Sequence, residues 1–277
     1  MEIYDCHLHS TYSSDGKSTV DELCEVALSK GIKAITITDH NALLPEGFSH
    51  YENIKSAVLE VQRKNEELNG KLMVLSGVEL EDQLTDDYDC TPFFEIDGID
   101  CILGSIHSSP IVKKYYPHRP FGDHIGTGAY TADMDTLREF MKIYYKELLH
   151  TAKNTDVDVI THLTFPFRYI NGKAKRGLEI SEFFPLIDEV LKAIIKTDKS
   201  LEVNTSGFSW EWCDFMPNED VIKRYYLLGG KNITIGSDAH ETKNLGVGIP
   251  EAQKMLKSLG FKYGSYYVKR KRYEYEF

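Results

Sequence analysis

The chain has 277 residues, 42% of them hydrophobic and 27% charged, so it can bury a core of ordinary size and is not globally disordered. Its formal net charge of −11 repels phosphate polymers at long range, which argues against a duplex-DNA binder. No basic-then-apolar leader opens the sequence and no run of about 18 apolar residues occurs, so neither a secretory signal nor a membrane span is expected.

Short β-type runs alternate with helical ones. Residues 3–9 predict a first strand, and 19–30 a helix, with Val20, Leu23, Cys24, Ala27 and Leu28 on one face and a stop at Gly31. The β-branched run 34–39 predicts a second strand, 51–68 a helix ending near Gly70, and 72–79 a third strand. An acidic, irregular stretch follows, with a short strand proposed at 93–96. Residues 100–107 predict the next strand. The stretch 108–131, dense in Tyr, Pro, His and Gly, is a loop of a length usually tied to function or disorder. Further strands are expected at 157–162, 201–204 and 233–238, and helices at 134–154, 180–197, 218–228 and 250–259. The tail YYVKRKRYEYEF reads as an added edge strand, its basic run 269–272 solvated rather than a nucleic-acid patch. Repeats, low-complexity tracts and linkers are lacking, so residues 1–277 read as one domain. Seven strand–helix alternations suggest a parallel α/β barrel, in which chemistry sits at the carboxyl ends of the strands. A doubly wound open sheet is the alternative.

Acids and histidines gather at those predicted strand ends: His7 and His9, Asp39-His40, Glu79, His107, His162, and Asp238-x-His240. Strand ends of a parallel barrel face one basin, so these side chains can converge. Residues i and i+2 of a strand project to one side, so His7 and His9 can grip one ion, as can Asp238 and His240. The five cysteines, Cys6, Cys24, Cys90, Cys101 and Cys213, are odd in number and form no CxxC pair. That points away from disulfides and Cys-type zinc sites and toward a reducing cytoplasm. A His, Asp and Glu set without Cys favours Zn, Mn or Fe.

The blocks DCHLHSTYSSDG, ITDHN, GVELE, GSIHS, THLTFPFRY and GSDAH, in this order from residue 5 to about 240, resemble the PHP (polymerase and histidinol phosphatase) family. THLTFPFRYINGK, EVNTSG and ITIGSDAH are most similar to its stand-alone histidinol-phosphatase branch. The resemblance implies a distorted (β/α)7 barrel and three divalent ions. It places the first ion on His7, His9, Glu79 and Asp238, the second on Glu79, His107 and His162, and the third on Asp15, His40 and His240. Asp15 stands where some relatives carry His. Asp39 reads as orienting a ligand rather than binding metal.

Such a cluster suits a small phosphate dianion. The expected chemistry is in-line attack on phosphorus by a metal-bridging hydroxide, with Asp15 or His240 helping the leaving alkoxide. Arg168, six residues past His162, could take a phosphoryl oxygen, or be an ordinary surface or salt-bridge arginine. Arg119 and His118 in the long loop are further substrate-binding candidates, and Asn204 is one that could equally shape its turn. His50 and His150 fall on predicted helices, and His124 has no assigned role. The resemblance implies hydrolysis of a small phosphomonoester, L-histidinol phosphate, in histidine biosynthesis. The alternatives are a PHP-type nucleotide or oligonucleotide phosphoesterase and a non-catalytic, metal-stabilised binding module. An amidohydrolase-type site is disfavoured, because the bridging candidate is Glu79 rather than a carboxylated lysine.

Overall fold

A computed structural model describes residues 2–41, 50–81, 90–107, 129–209 and 212–277. Strands β1 (Tyr4–Leu8), β2 (Ala34–Ile37), β3 (Met73–Glu81), β4 (Cys101–Ser105), β5 (Val159–Ile160), β6 (Ser200–Asn204) and β7 (Ile233–Gly236) lie side by side in chain order. All are paired parallel. The ring closes where Asp238 N–H donates to the His7 carbonyl at 2.8 Å and His9 N–H to the Ala239 carbonyl at 2.9 Å. This contact between first and last strands makes a nearly closed seven-stranded barrel and excludes the open doubly wound sheet. Residues of β1, β2, β4, β6 and β7 are buried almost throughout, as parallel strands covered on both faces require.

The helices α1 (Val20–Ser29), α2 (His50–Leu68), α3 (Met134–Asn154), α4 (Phe184–Lys196), α5 (Glu219–Leu227) and α6 (Ile249–Leu259) separate or follow the strands. Local chemistry sets their ends. Thr19 and Glu22 form a reciprocal capping box at the start of α1. Helix α1 buries Val20, Leu23, Cys24 and Ala27, the large ones worth about 1.5–3 kcal/mol each. Asp133 and Asn218 cap α3 and α5. The core is continuous from the barrel wall to the inner faces of α3 and α4 through residues such as Ile160, Tyr144 and Ile187.

Three sequence expectations need correction. Residues 93–96 form no strand: Thr91–Glu95 is a 3-10 helix, with Pro92 in its first turn where no amide proton is needed. Strand β3 runs two residues past Glu79, so Glu79 lies within it. The tail is not an edge strand, because a closing barrel leaves no edge to extend. It folds instead into a two-stranded antiparallel hairpin, β8 (Tyr263–Val268) and β9 (Lys271–Glu276), turning at Lys269 and Arg270. The hairpin covers the amino-terminal end of the barrel. Lys269 N–H donates to Asp100 Oδ1 at 2.8 Å, and Tyr267 Oη donates to the Asp158 carbonyl at 3.2 Å. The basic run is partly paired: Arg270 contacts Asp158 and Asp156, and Arg272 contacts Asp198. All five cysteines are free thiols, and only Cys213 is exposed.

Candidate metal centre

At the carboxyl end of the barrel the chain brings His7, His9, Asp15, His40, Glu79, His107, His162, Asp238 and His240 into one basin. Glu79 is its hub. Its Oε2 lies 3.2 Å from His7 Nε2, 3.4 Å from His9 Nε2 and 3.2 Å from His40 Nδ1. Its Oε1 lies 2.8 Å from His162 Nε2 and 3.5 Å from His107 Nε2. Asp238 Oδ1 is 3.3 Å from His9 Nε2 and 3.8 Å from His7 Nε2. On the more open side, Asp15 Oδ2 lies 3.1 Å from His240 Nε2 and 3.8 Å from His40 Nε2. The loop carrying Asp15 is held there by Lys17 N–H donating to the His240 carbonyl at 2.8 Å.

The outer ring nitrogens explain how the imidazoles are aimed. His7 Nδ1 meets Glu202 Oε1 at 2.6 Å, His9 Nδ1 meets Ser13 Oγ at 3.2 Å, and His240 Nδ1 meets the Asp238 carbonyl at 3.0 Å. His40 Nδ1 and His107 Nδ1 face Glu81 at 2.6 and 3.4 Å. Oxygen at Nδ1 fixes the tautomer and leaves Nε2 free to ligate, the usual arrangement behind a metal-bound histidine. Ser13 is itself held by Asp39, which accepts from the backbone and hydroxyl of both Ser10 and Ser13. Asp39 therefore stands one residue behind His9. Gly236 keeps the His7–Glu202 contact open: a Cβ there would lie 2.3 Å from His7 Cβ and 2.6 Å from Glu202 Oε1.

Charge and strain concentrate here. Burial alone would depress His7, yet Glu202, Glu79 and Asp238 raise it well above its ordinary value. Burial likewise opposes the protonated form of His40, but Glu81 and Glu79 push it up to about 10. His9 goes the other way, down to about 3, through burial and the neighbouring His40 and His240. Burial would raise Glu79 and Asp238, and the surrounding imidazoles hold both well below the carboxylate range. His162 and Asp238 also hold left-handed backbone, φ 24° and 53°, a conformation costly for residues other than glycine. Buried imidazoles and carboxylates at 3 to 4 Å, with Nε2 atoms converging and the Nδ1 atoms of His7, His9 and His240 occupied by oxygen, fit divalent cations. Ligand atoms of His7, His9 and Glu79, of His9, His40 and His240, and of His40, Glu79 and His107 lie close enough to share an ion.

The remaining candidates divide. Arg168 is not a surface arginine. It is 7% exposed and lies over the rings of Phe165 and Tyr169 at 4.6 and 5.1 Å. It donates to Ser206 Oγ at 3.0 Å, and that oxygen lies 3.2 Å from Asp238 Oδ2. Its head is therefore one hydroxyl from the basin. Asn204 faces the basin, but its amide donates to Glu202 and Asp238 at 3.2 and 3.3 Å. Its carbonyl accepts from Ser206 N–H and Oγ. Asn204 thus both shapes its turn and holds carboxylates, and its amide contacts are spoken for. His118, Arg119 and His124 lie outside the described residues. His50 and His150 fall on α2 and α3. Glu81 and Glu202 were not singled out in the sequence. The i, i+2 rule applied to His7 and His9 would have found Glu81 two residues after Glu79. Glu202 lies on β6 two residues before Asn204, but its action on His7 of β1 has no local spacing to signal it.

A model of the PHP domain matches residues 5–206. The chain belongs to the PHP family. Among PHP-related proteins, it is 29% identical over 261 residues to a probable histidinol-phosphatase of Thermotoga maritima, covering 94% of this chain and 93% of the relative. It is 24% identical over 262 residues to a histidinol-phosphatase of Lactococcus lactis, covering 94% and 93%. The fold is similar to a crystal structure of histidinol phosphate phosphatase from Lactococcus lactis, complexed with zinc, L-histidinol and phosphate. The TM-score is 0.81 at 22% identity, over 98% of this PHP chain and 99% of the other. Among the described residues, no helix of this PHP chain is long and apolar enough to cross a membrane.

Proposed function

We propose that this chain, read as one barrel domain, is a metal-dependent phosphomonoesterase that hydrolyses L-histidinol phosphate to L-histidinol and phosphate. The observation that carries the reading is the convergence of the His7, His9, His107 and His162 Nε2 atoms on Glu79, with the Nδ1 atoms of His7 and His9 held by Glu202 and Ser13. Full-length similarity to histidinol-phosphatases supports the substrate, which places the activity in histidine biosynthesis. The donor set accommodates three divalent ions of the Zn, Mn or Fe type. His7, His9, Glu79 and Asp238 would hold the first, Glu79, His107 and His162 the second, and Asp15, His40 and His240 the third.

When bound, divalent ions supply positive charge for phosphoryl oxygens and lower the pKa of a coordinated water from about 15.7 to about 7. The chain's own residues do the rest. Glu79 and Asp238, ionised in the site, anchor the ions. Glu202 and Ser13 keep the rings of His7 and His9 in the ligating tautomer. Arg168 reaches a phosphoryl oxygen from beside Ser206, its guanidinium pre-oriented by Phe165 and Tyr169. Asp15 and His240, on the more exposed side, stand where a leaving alcohol takes its proton. Among the described residues Phe165, 5.0 Å from both His107 and His162 between ring centroids, offers a wall for a ring-bearing alcohol.

Phosphate release from L-histidinol phosphate, AMP and short single-stranded oligonucleotides, with zinc, manganese or iron supplied, tests the reading. Preference for histidinol phosphate is expected. Faster release from AMP or oligonucleotides would move the assignment to a nucleotide phosphoesterase. No release from any of them by metal-loaded protein would leave a metal-stabilised binding module.

A further inference from the structure

Glu81 belongs to none of the three ion sets, yet it is among the least exposed carboxylates in the basin, its side chain 3% accessible. It sits at the last position of β3, on the same side as Glu79, paired with Ser105 of β4. One oxygen, Oε1, faces His40 Nδ1 at 2.6 Å, and the other, Oε2, faces His107 Nδ1 at 3.4 Å. His40 Nδ1 also lies 3.2 Å from Glu79 Oε2, and neither it nor Glu81 Oε1 makes a hydrogen bond of regular geometry, so the 2.6 Å approach is an ion-pair contact. His40 also has a second ring nitrogen near Asp15, at 3.8 Å. His107 presents its other nitrogen, Nε2, to Glu79 and to His162 Nε2 at 3.2 Å. A carboxylate behind a ring holds its tautomer and strengthens its free nitrogen as a ligand. Here a single carboxylate stands beside two rings that the proposed assignment gives to different ions.

We propose that Glu81 is a positioning residue that couples occupancy of the second and third ion sites. It orients His107 toward one and His40 toward the other, while Glu202 performs the corresponding task for His7 at the first. The inference rests on the metal-centre reading above. With Glu81 present, filling either site orders the carboxylate that the other site's histidine needs. Without it, the His107 ring loses the carboxylate 3.4 Å from its Nδ1, and His40 Nδ1 is left with Glu79 Oε2 at 3.2 Å, which draws the ring toward Glu79. Replacing Glu81 by Gln leaves one acceptor oxygen where there were two and puts an NH2 group, which cannot accept, against one of the imidazoles.

Zinc binding to the metal-free full chain tests this, by chelator competition and by elemental analysis after dialysis at fixed free zinc. The wild type is expected to retain three ions. Glu81→Gln is expected to retain the first while its affinity for the other two falls about 10–100-fold, the usual cost of removing an outer partner of a ligand. Glu202→Gln is expected to weaken the first instead. Glu81→Asp, which keeps the charge on a shorter arm, should weaken the same two sites by less, and it serves if the Gln variant fails to fold. Three ions held with wild-type affinity by Glu81→Gln or Glu81→Asp would overturn the coupling while leaving the metal-centre reading intact. A wild-type chain that takes up no zinc would overturn both.

Discussion

The two ends of the barrel both gather charge, but in opposite ways. At the amino-terminal end, under the β8–β9 hairpin, cations meet anions in discrete pairs. Arg270 faces Asp158 and Asp156, Arg272 faces Asp198, and Asp100 accepts Ser76 and Lys269 backbone amides. At the carboxyl end, Glu79 alone lies within 3.5 Å of five imidazoles, and His9 stacks at 4.1 Å on both His40 and His240. Paired charges of the first kind tie elements together and ask for nothing more. Crowded imidazoles with left-handed backbone at His162 and Asp238 are an arrangement that folding alone would not favour. Divalent cations would offset the crowding, because carboxylates and deprotonated imidazoles are their ligands. The contrast separates charges that hold the fold from charges that the fold holds in place.

Breaking the carboxyl-end cluster should have the largest effect. His9→Ala removes a ligand candidate rather than an outer partner. Metal content and phosphate release are expected to fall together, by more than the roughly 100-fold upper figure for outer partners. Chelation by EDTA should abolish turnover, and zinc, manganese or iron should restore it to different extents. Full turnover after verified metal removal would defeat the mechanism. Arg168→Ala comes next: loss of a charge-assisted contact to phosphate predicts about a 10–100-fold fall in kcat/KM, mainly through KM, with metal content unchanged. An unchanged KM would remove Arg168 from substrate binding.

Metal loading also has a proton signature. His7, His40, His107 and His240 are all raised above the ordinary imidazole value in the metal-free site by carboxylates that overcome burial. His40, pushed up to about 10, carries at pH 7 a proton that a cation must displace, and the upward shifts of the other three act in the same direction. Zinc uptake should therefore release protons near neutral pH, and affinity should climb with pH toward the value of about 10 for His40. Titration calorimetry in two buffers of different ionisation enthalpy reads this directly, and a buffer-independent heat would contradict it.

Much of the carboxyl end was readable in the sequence because one rule, ligands at parallel strand ends, acts on short motifs. HxH on β1 and DxH after β7 each needed only local geometry. What stayed hidden acts across strands. Glu202 reaches His7 from β6, and the Ser13 hydroxyl links Asp39 to His9. The amino-terminal end was less legible for a related reason. Alternation in the tail signals a strand without naming its partner, and only closure of the ring shows that β8 and β9 must pair with each other. Likewise, nothing local in KRKR announces that Asp156, Asp158 and Asp198 await Arg270 and Arg272.

The amino-terminal end gives the smallest effect on chemistry. Arg270→Ala leaves Asp158, whose side chain is 9% exposed, with the Ile102 amide at 2.8 Å but without its guanidinium partner. Leaving a charged group short of a partner costs about 1–3 kcal/mol, and for a chain of this size that lowers Tm by roughly 2–10 °C. Metal content and kcat/KM of the folded fraction should stay at wild-type values, because the hairpin covers the end of the barrel opposite the basin. A variant that kept its Tm but lost metal would mean that the two ends are coupled through the strands, and the division between holding and held charges would fail. Arg270→Lys sharpens the same test. It keeps the charge but loses the forked contact to Asp158 and the Asp156 carbonyl, so its Tm should fall between wild type and alanine.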